Sequence, residues 1–227
     1  MRYRTAIVTG ASRGLGLAVA HALVARGLDV VLASRTEPPE LRERWIEADL
    51  SSAASISALV SAARERHGPV DVLVNNAGIG ASRPFEESDE HEIRATVDVN
   101  LTGTMLCTLA VLPDMLAARR GLIVNVGSDL GRRFNPGMAV YTATKFGLLG
   151  FSGSLLREVK DRGVKVCTVM PGVIDTSFGD FAPADSRGAE RGLPTDHLAE
   201  LIAALLDHPE HLIVDELTVH PSGQQGF

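Results

Sequence analysis

Tyr141 and Lys145 stand four residues apart in the stretch Tyr-Thr-Ala-Thr-Lys, and on a helix that spacing puts a phenol and an ammonium on one face. The pair suits acid–base chemistry. A nearby ammonium favours the phenolate, lowering the tyrosine pKa toward working pH so that the phenol can exchange a proton with a substrate oxygen. Ser128 follows the apolar run 122–126 and Gly127, where its hydroxyl could orient that same oxygen. Earlier, a strand-length run leads into Thr9, Gly10, Ala11, Ser12, Arg13, Gly14, Leu15 and Gly16. Glycines that open a helix directly after a strand offer backbone N–H groups and a positive helix-dipole end to a pyrophosphate. A dinucleotide loop, a serine at a strand end and a Tyr/Lys helix, in that order, point to hydride transfer.

The elements that would position these residues follow from hydrophobic periodicity. Apolar runs of strand length fall at 5–9, 29–33, 45–48, 70–75, 122–126, 164–170 and 212–219, and helical patterns at 14–26, 53–67, 91–118, 141–161 and 195–206. This alternation predicts an α/β fold of Rossmann type, a doubly wound sheet of seven parallel strands with helices on both faces, in one domain over 1–227. The crossover at 35–44 is short and contains Pro38 and Pro39, leaving little room for a full helix and exposing one edge of an adenosine site.

With these motifs in view, the chain resembles the single-domain branch of the short-chain dehydrogenase/reductase family, which carries T-G-x-x-x-G-x-G and Y-x-x-x-K. The resemblance spans nearly the whole chain and rests on Thr9 to Gly16, Asp49-Leu50, Asn75-Asn76-Ala77-Gly78, Asn100, Ser128, Tyr141, Lys145 and Pro171-Gly172 with Thr176. It implies an oxidoreductase in which Tyr141 donates the proton, Lys145 also bonds the nicotinamide ribose, and Ser128 orients the substrate oxygen. It also implies that Asn100 holds a water in a proton relay to the lysine; read alone, Asn100 is a mid-helix polar residue with a packing or kinking role. The family's cofactor contacts carry over to Gly10, Ser12, Arg13, Gly14, Leu15 and Gly16 around the pyrophosphate. Asp49 and Leu50 would hold the adenine, although an isolated Asp49 would equally serve as an N-cap before Ser51 and Ser52. Asn76, Ala77 and Gly78 would line the cofactor, Asn75 would knit the central strands, and Pro171, Gly172, Val173, Ile174 and Thr176 would meet the nicotinamide carboxamide. The glycines and aromatics of 177–193 suit a substrate lid.

The second strand ends Ala33-Ser34-Arg35, without the acidic residue that accepts from a ribose 2′-OH and repels a 2′-phosphate. Arg35, Ser34 and Arg13 therefore favour NADP(H), with NAD(H) still possible. A formal net charge of −6 and the absence of a basic stripe speak against nucleic-acid binding. No signal region or uninterrupted apolar stretch of membrane-spanning length is visible, which predicts no membrane partner and a cytoplasmic location. Cys107 and Cys167, the two cysteines, read as buried free thiols, and no metal site is expected. Arg132, Arg133 and Phe134 make a polar-tailed substrate conceivable, with surface arginines as the alternative. The expected activity interconverts a ketone or aldehyde with an alcohol, as in a carbonyl reductase. A 3-oxoacyl-thioester (acyl carrier) reductase and a nucleotide-sensing protein without turnover are the rivals. Apolar residues on more than one face of 101–118 and 148–159 predict a homodimer or homotetramer.

Overall fold

A computed structural model describes residues 3–178 and 192–224. The expected lid falls largely on 179–191, outside the described residues. Seven strands, β1 (Thr5–Thr9), β2 (Asp29–Ser34), β3 (Trp45–Glu47), β4 (Val72–Asn75), β5 (Gly121–Val126), β6 (Val164–Pro171) and β7 (Glu216–Val219), form one parallel sheet in the order β3-β2-β1-β4-β5-β6-β7. The strand order reverses between β1 and β4, and such a switch point opens a crevice at the carboxyl ends of the strands.

Among the described residues six α-helices cover the sheet: α1 (Gly14–Ala25), α2 (Ala53–His67), α3 (Glu90–Val97), α4 (Gly103–Ala118), α5 (Ala139–Val159) and α6 (Thr195–Ala204). Alternate strand residues serve opposite faces, as the pleat requires. Ala6, Val8 and Val124 pack with α1 and α6, while Ile7, Leu73 and Ile123 pack with α2, α4 and α5. The central strands are buried on both sides, which is why they read as continuous apolar runs.

One expected boundary is corrected. The last strand begins at Glu216 rather than at 212; Leu212 and Ile213 lie exposed in a loop whose Pro209 and Leu212 carbonyls accept from the buried Lys165 ammonium at 2.7 and 2.6 Å. The helix expected over 91–118 is present as Glu90–Ala118, in which α3 and α4 are joined by a π turn, Asp98–Thr102, that carries Asn100. This continuous helix, Glu90–Ala118, is long and apolar enough by length and composition to cross a membrane, with a mean hydropathy of 1.5 over its apolar window. Here Cys107, Val111 and Met115 face the core. The crossover after β2 has only a short 3-10 turn, Arg42–Arg44, as its two prolines predict. Cys107 and Cys167 are free and buried, and burial pushes both thiols up to about 12.

Candidate active site

Gly10, at φ +66°, turns the chain out of β1, and a Cβ on it would lie 2.8 Å from the Ala77 Cα. A Cβ on Gly16 would collide with the Gly10 carbonyl and the Asn76 carboxamide. Both positions therefore need glycine for close approach as well as for the turn. The loop is braced from β4: the Asn76 amide donates to the Thr9 and Gly10 carbonyls at 3.0 and 3.2 Å, and the Thr9 hydroxyl accepts from the Asn76 and Ala77 N–H groups at 3.0 and 3.1 Å. No side chain caps α1, so its opening amides face the crevice with the positive end of the helix dipole.

At the end of β2, Arg35 is exposed and Ser34 buried. The Ser34 hydroxyl donates to the Thr36 carbonyl at 2.7 Å and accepts from the Trp45 indole at 3.1 Å. Its one proton is thus committed to the backbone, and cationic character at this end comes from Arg13 and Arg35. Asp49 accepts from the Ser51 N–H and hydroxyl at 2.9 and 2.7 Å. These bonds lower its pKa, with Arg35 adding to the effect. The N-cap of α2 is Ser52, not Asp49.

Tyr141 and Lys145 rise from the first turns of α5, and Ser128 stands just beyond β5. The Ser128 hydroxyl is hydrogen-bonded to the Tyr141 side chain, an interaction that lowers the phenol pKa, but burial dominates and pushes the phenol well above its ordinary value, with the Asp129 charge adding to the rise. The lowering expected from Lys145 is therefore outweighed in this environment. The Lys145 ammonium sits 5.4 Å from the Tyr141 ring centre and donates to the Val126 carbonyl at 2.8 Å; burial lowers its pKa to about 8. Asn100 is 1% exposed and does not line the cleft. Its carboxamide pairs with both the N–H and the carbonyl of Ile79 at 2.8 Å, and donates to the Thr144 hydroxyl at 3.2 Å. The segment it holds packs on the catalytic candidate, because a Cβ on Gly80 would come within 2.8 Å of the Tyr141 ring. The packing role expected of Asn100 at a helix irregularity is thus visible.

Of the residues singled out from the sequence for the site, all except Asn100 line one cleft of about 1150 Å³. The glycine loop, Arg35 and Asp49 occupy one end, and Ser128, Tyr141 and Lys145 the other. Pro171, Gly172, Val173, Ile174 and Thr176 form a wall after β6, and a Cβ on Gly14 would touch Thr176 at 3.4 Å. Phe178 meets the Tyr141 ring edge-on with centres 5.8 Å apart.

Three groups in or behind the cleft escaped the sequence reading. Asn125, Thr108 and Ser152 complete a buried polar ladder with Asn75, through bonds of 2.8 Å from Asn75 to Asn125, 3.2 Å to Thr108 and 2.8 Å from Asn125 to Ser152. Asp129 lies beside Ser128, paired with Arg133 and with His220 at 3.7 Å. Gln224 donates to Asp129 at 2.7 Å and accepts from the Val173 N–H at 2.9 Å. Asn125 alternates with strand apolars and could have been flagged as a buried polar residue; nothing local marks Gln224. Among the described residues no group of three or more His, Cys, Asp or Glu side chains is assembled to hold a metal.

A parallel sheet whose switch point faces an uncapped glycine-rich helix start, with a Ser-Tyr-Lys cluster at the far end, defines a dinucleotide-type α/β protein with acid–base groups in its crevice. The sequence profile described as short chain dehydrogenase matches residues 4–186. The chain is 35% identical to the 3-oxoacyl-(acyl-carrier-protein) reductase of Vibrio cholerae, covering 97% of this chain and 96% of that protein. It is 32% identical to an uncharacterized oxidoreductase of Staphylococcus saprophyticus, over 96% and 97% of the two chains. Among solved structures, an alcohol dehydrogenase from the archaeon Thermococcus sibiricus, complexed with 5-hydroxy-NADP, superposes with a TM-score of 0.88 at 30% identity, over 99% of each chain. A metagenomic short-chain oxidoreductase in complex with NADP gives 0.83 at 32% identity, over 96% and 97%. The chain belongs to the short-chain dehydrogenase family, and is an oxidoreductase of that family.

Proposed function

We propose that this protein is an NADP(H)-dependent carbonyl reductase or alcohol dehydrogenase, with Tyr141 as general acid and base. The observation that carries the reading is the convergence of Ser128, Tyr141 and Lys145 on one end of the cleft whose other end is the glycine cradle. The cradle fits a dinucleotide: its glycines let the loop pack closely on Asn76 and Ala77, and no side chain caps the first amides of α1, which are left for a pyrophosphate. The NADP species bound to the two similar structures support the same cofactor here. When bound, the nicotinamide supplies or accepts the hydride.

The residues of the chain do the rest. A buried phenol with a raised pKa holds its proton at neutral pH, which is the form needed to protonate an alkoxide developing on a ketone or aldehyde. Ser128 orients that oxygen. Lys145, buried close to the phenol, stabilises the phenolate left behind and bonds the nicotinamide ribose, while Asn100 serves a water relay to it and keeps Ile79 and Gly80 against Tyr141. Arg13 and Arg35 hold the 2′-phosphate. We read the active form as a homodimer or homotetramer, because α4 and α5 leave Leu109, Met105 and Phe146 exposed at 65%, 36% and 37%.

The test is a panel of ketones, aldehydes and 3-oxoacyl thioesters followed by NADPH absorbance, the thioesters being included because of the acyl-carrier reductase relatives. Turnover of some member by the wild-type protein and its loss in Tyr141→Phe, with NADPH binding retained, is the expected result. NADPH binding without turnover of any member would instead favour a nucleotide-sensing protein.

A further inference from the structure

Asp129 occupies an unusual place for a carboxylate. It is 8% exposed, follows the serine directly, and accepts from the Ser128 hydroxyl through Oδ1 at 3.2 Å. Its other oxygen, Oδ2, is held from three elements. Gln224 Nε2 donates to it at 2.7 Å, Arg133 pairs with it, and His220 Nε2 lies 3.7 Å away. Gln224 in turn accepts from Val173 in the wall after β6. A Cβ on Gly172 would collide with the Gln224 carboxamide, so the glycine leaves the space this bridge occupies. Three side chains thus converge on one carboxylate beside the serine, and the Val173 amide holds one of them, Gln224, in place.

We infer that Asp129 is a positioning residue for hydride transfer, setting the direction of the Ser128 hydroxyl and, through its charge, keeping Tyr141 in the proton-bearing form. The inference rests on the proposed roles of Tyr141 and Ser128. The Ser128 hydroxyl has one proton, held by Asp129 until a substrate oxygen arrives to accept it, so the carboxylate fixes where the serine stands before the substrate binds. Its charge acts on the phenol as well, since a nearby carboxylate disfavours the phenolate. Among the described residues, the ionisable groups at this site are Lys145 on α5, 5.4 Å from the Tyr141 ring centre, and Asp129, with Arg133 (after the 3-10 turn at Asp129–Gly131) and His220 (after β7) against it, while Arg132 pairs with Glu216 on β7. Asp129 is the one carboxylate among them that borders Ser128. Its expected consequence is a protein biased toward carbonyl reduction, whose phenol ionises only at high pH.

The chain contains two tyrosines, and Tyr3 is 3% exposed, so the phenolate absorbance of Tyr141 can be isolated by subtracting a Tyr141→Phe blank. The titration is run on the intact protein with saturating NADP⁺, whose binding is checked separately by fluorescence. In Asp129→Asn the Tyr141 phenolate should appear at a pH lower by about half a unit or more. In Arg133→Gln, at a partly exposed position, it should move the opposite way, because a cation that offsets Asp129 is gone. Curves superposable on the wild type in either variant, including curves in which no ionisation is reached, would overturn the inference. If Asp129→Asn does not fold, Arg133→Gln alone decides. Failure of the underlying reading looks different: Tyr141→Phe would then keep full activity on the carbonyl panel, whatever the titrations show.

Discussion

The Lys145 ammonium donates to the Val126 carbonyl across 2.8 Å, so one bond ties the helix carrying Tyr141 to the strand end carrying Ser128. The lysine is 4% exposed, and burial is what lowers its pKa from 10.5 to about 8. The folded protein therefore gives up this proton at a lower pH than the unfolded chain does. The cost of burying the ammonium is fully present below about pH 8 and is relieved between 8 and 10.5. In that window Lys145 makes stability rise with pH, by up to about 3 kcal/mol in total. Lys145→Met should remove that contribution, so the stability of the variant relative to wild type should fall as pH rises through the window. Urea denaturation at several pH values measures it; a difference that stays constant would contradict the burial argument.

Lys145→Ala should reduce both turnover and NADPH affinity, because one ammonium serves the phenolate and the ribose. Tyr141→Phe should reduce turnover by about a hundredfold or more with little effect on NADPH affinity. The contrast between the two variants separates proton transfer from cofactor binding. Unchanged cofactor affinity in Lys145→Ala would remove the ribose contact.

NADPH should bind more tightly than NADH, since charge-assisted contacts to a phosphate are worth roughly 1.5–3 kcal/mol each before desolvation. Arg13→Ala with Arg35→Ala should weaken NADPH binding by roughly tenfold or more while leaving NADH binding little changed. Ser34→Asp with Arg35→Ala should move preference further toward NADH; the Trp45 indole, which already donates to the Ser34 hydroxyl, can donate to the new carboxylate. Fluorescence titration of both cofactors checks this, and equal wild-type affinities would show that the arginines are surface charges.

Gly16→Ala should lose cofactor binding and some stability, because the new methyl group collides with the Gly10 carbonyl and the Asn76 amide. The loop would have to shift by more than a side-chain rotation allows. Cofactor affinity within twofold of wild type would show that the loop is not the cradle.

Leu109, Met105 and Phe146 should be covered by a second chain in solution. Light-scattering chromatography should give a mass above that of one chain, and Leu109→Lys should shift it toward the monomer. A monomer at micromolar concentration in the wild type would refute this.

The sequence by itself determined the alternation of strands and helices, because each buried parallel strand must be apolar throughout and each helix must show its own period. It likewise determined the glycine loop and the Ser128, Tyr141 and Lys145 cluster, whose chemistry depends on residue type and short spacing. The short crossover at 35–44 was legible for the same reason: a proline pair acts locally. Only the tertiary structure decided the rest. That Asn100 sits in a π turn and clasps Ile79 depends on a contact across 21 residues, and the Asp129–Gln224 bond spans 95; no periodicity records such distances. The start of β7 was misjudged because apolar residues in the loop at 212–213 mimic a strand, while β6 pairs only with Glu216–Val219. The Ser34 hydroxyl is occupied by Trp45 and the Thr36 carbonyl, and the Trp45 contact crosses from one strand to the next. The direction of the Tyr141 shift was decided last. The four-residue spacing announces the ammonium, but desolvation depends on every element packed around the phenol, and that is a property of the fold.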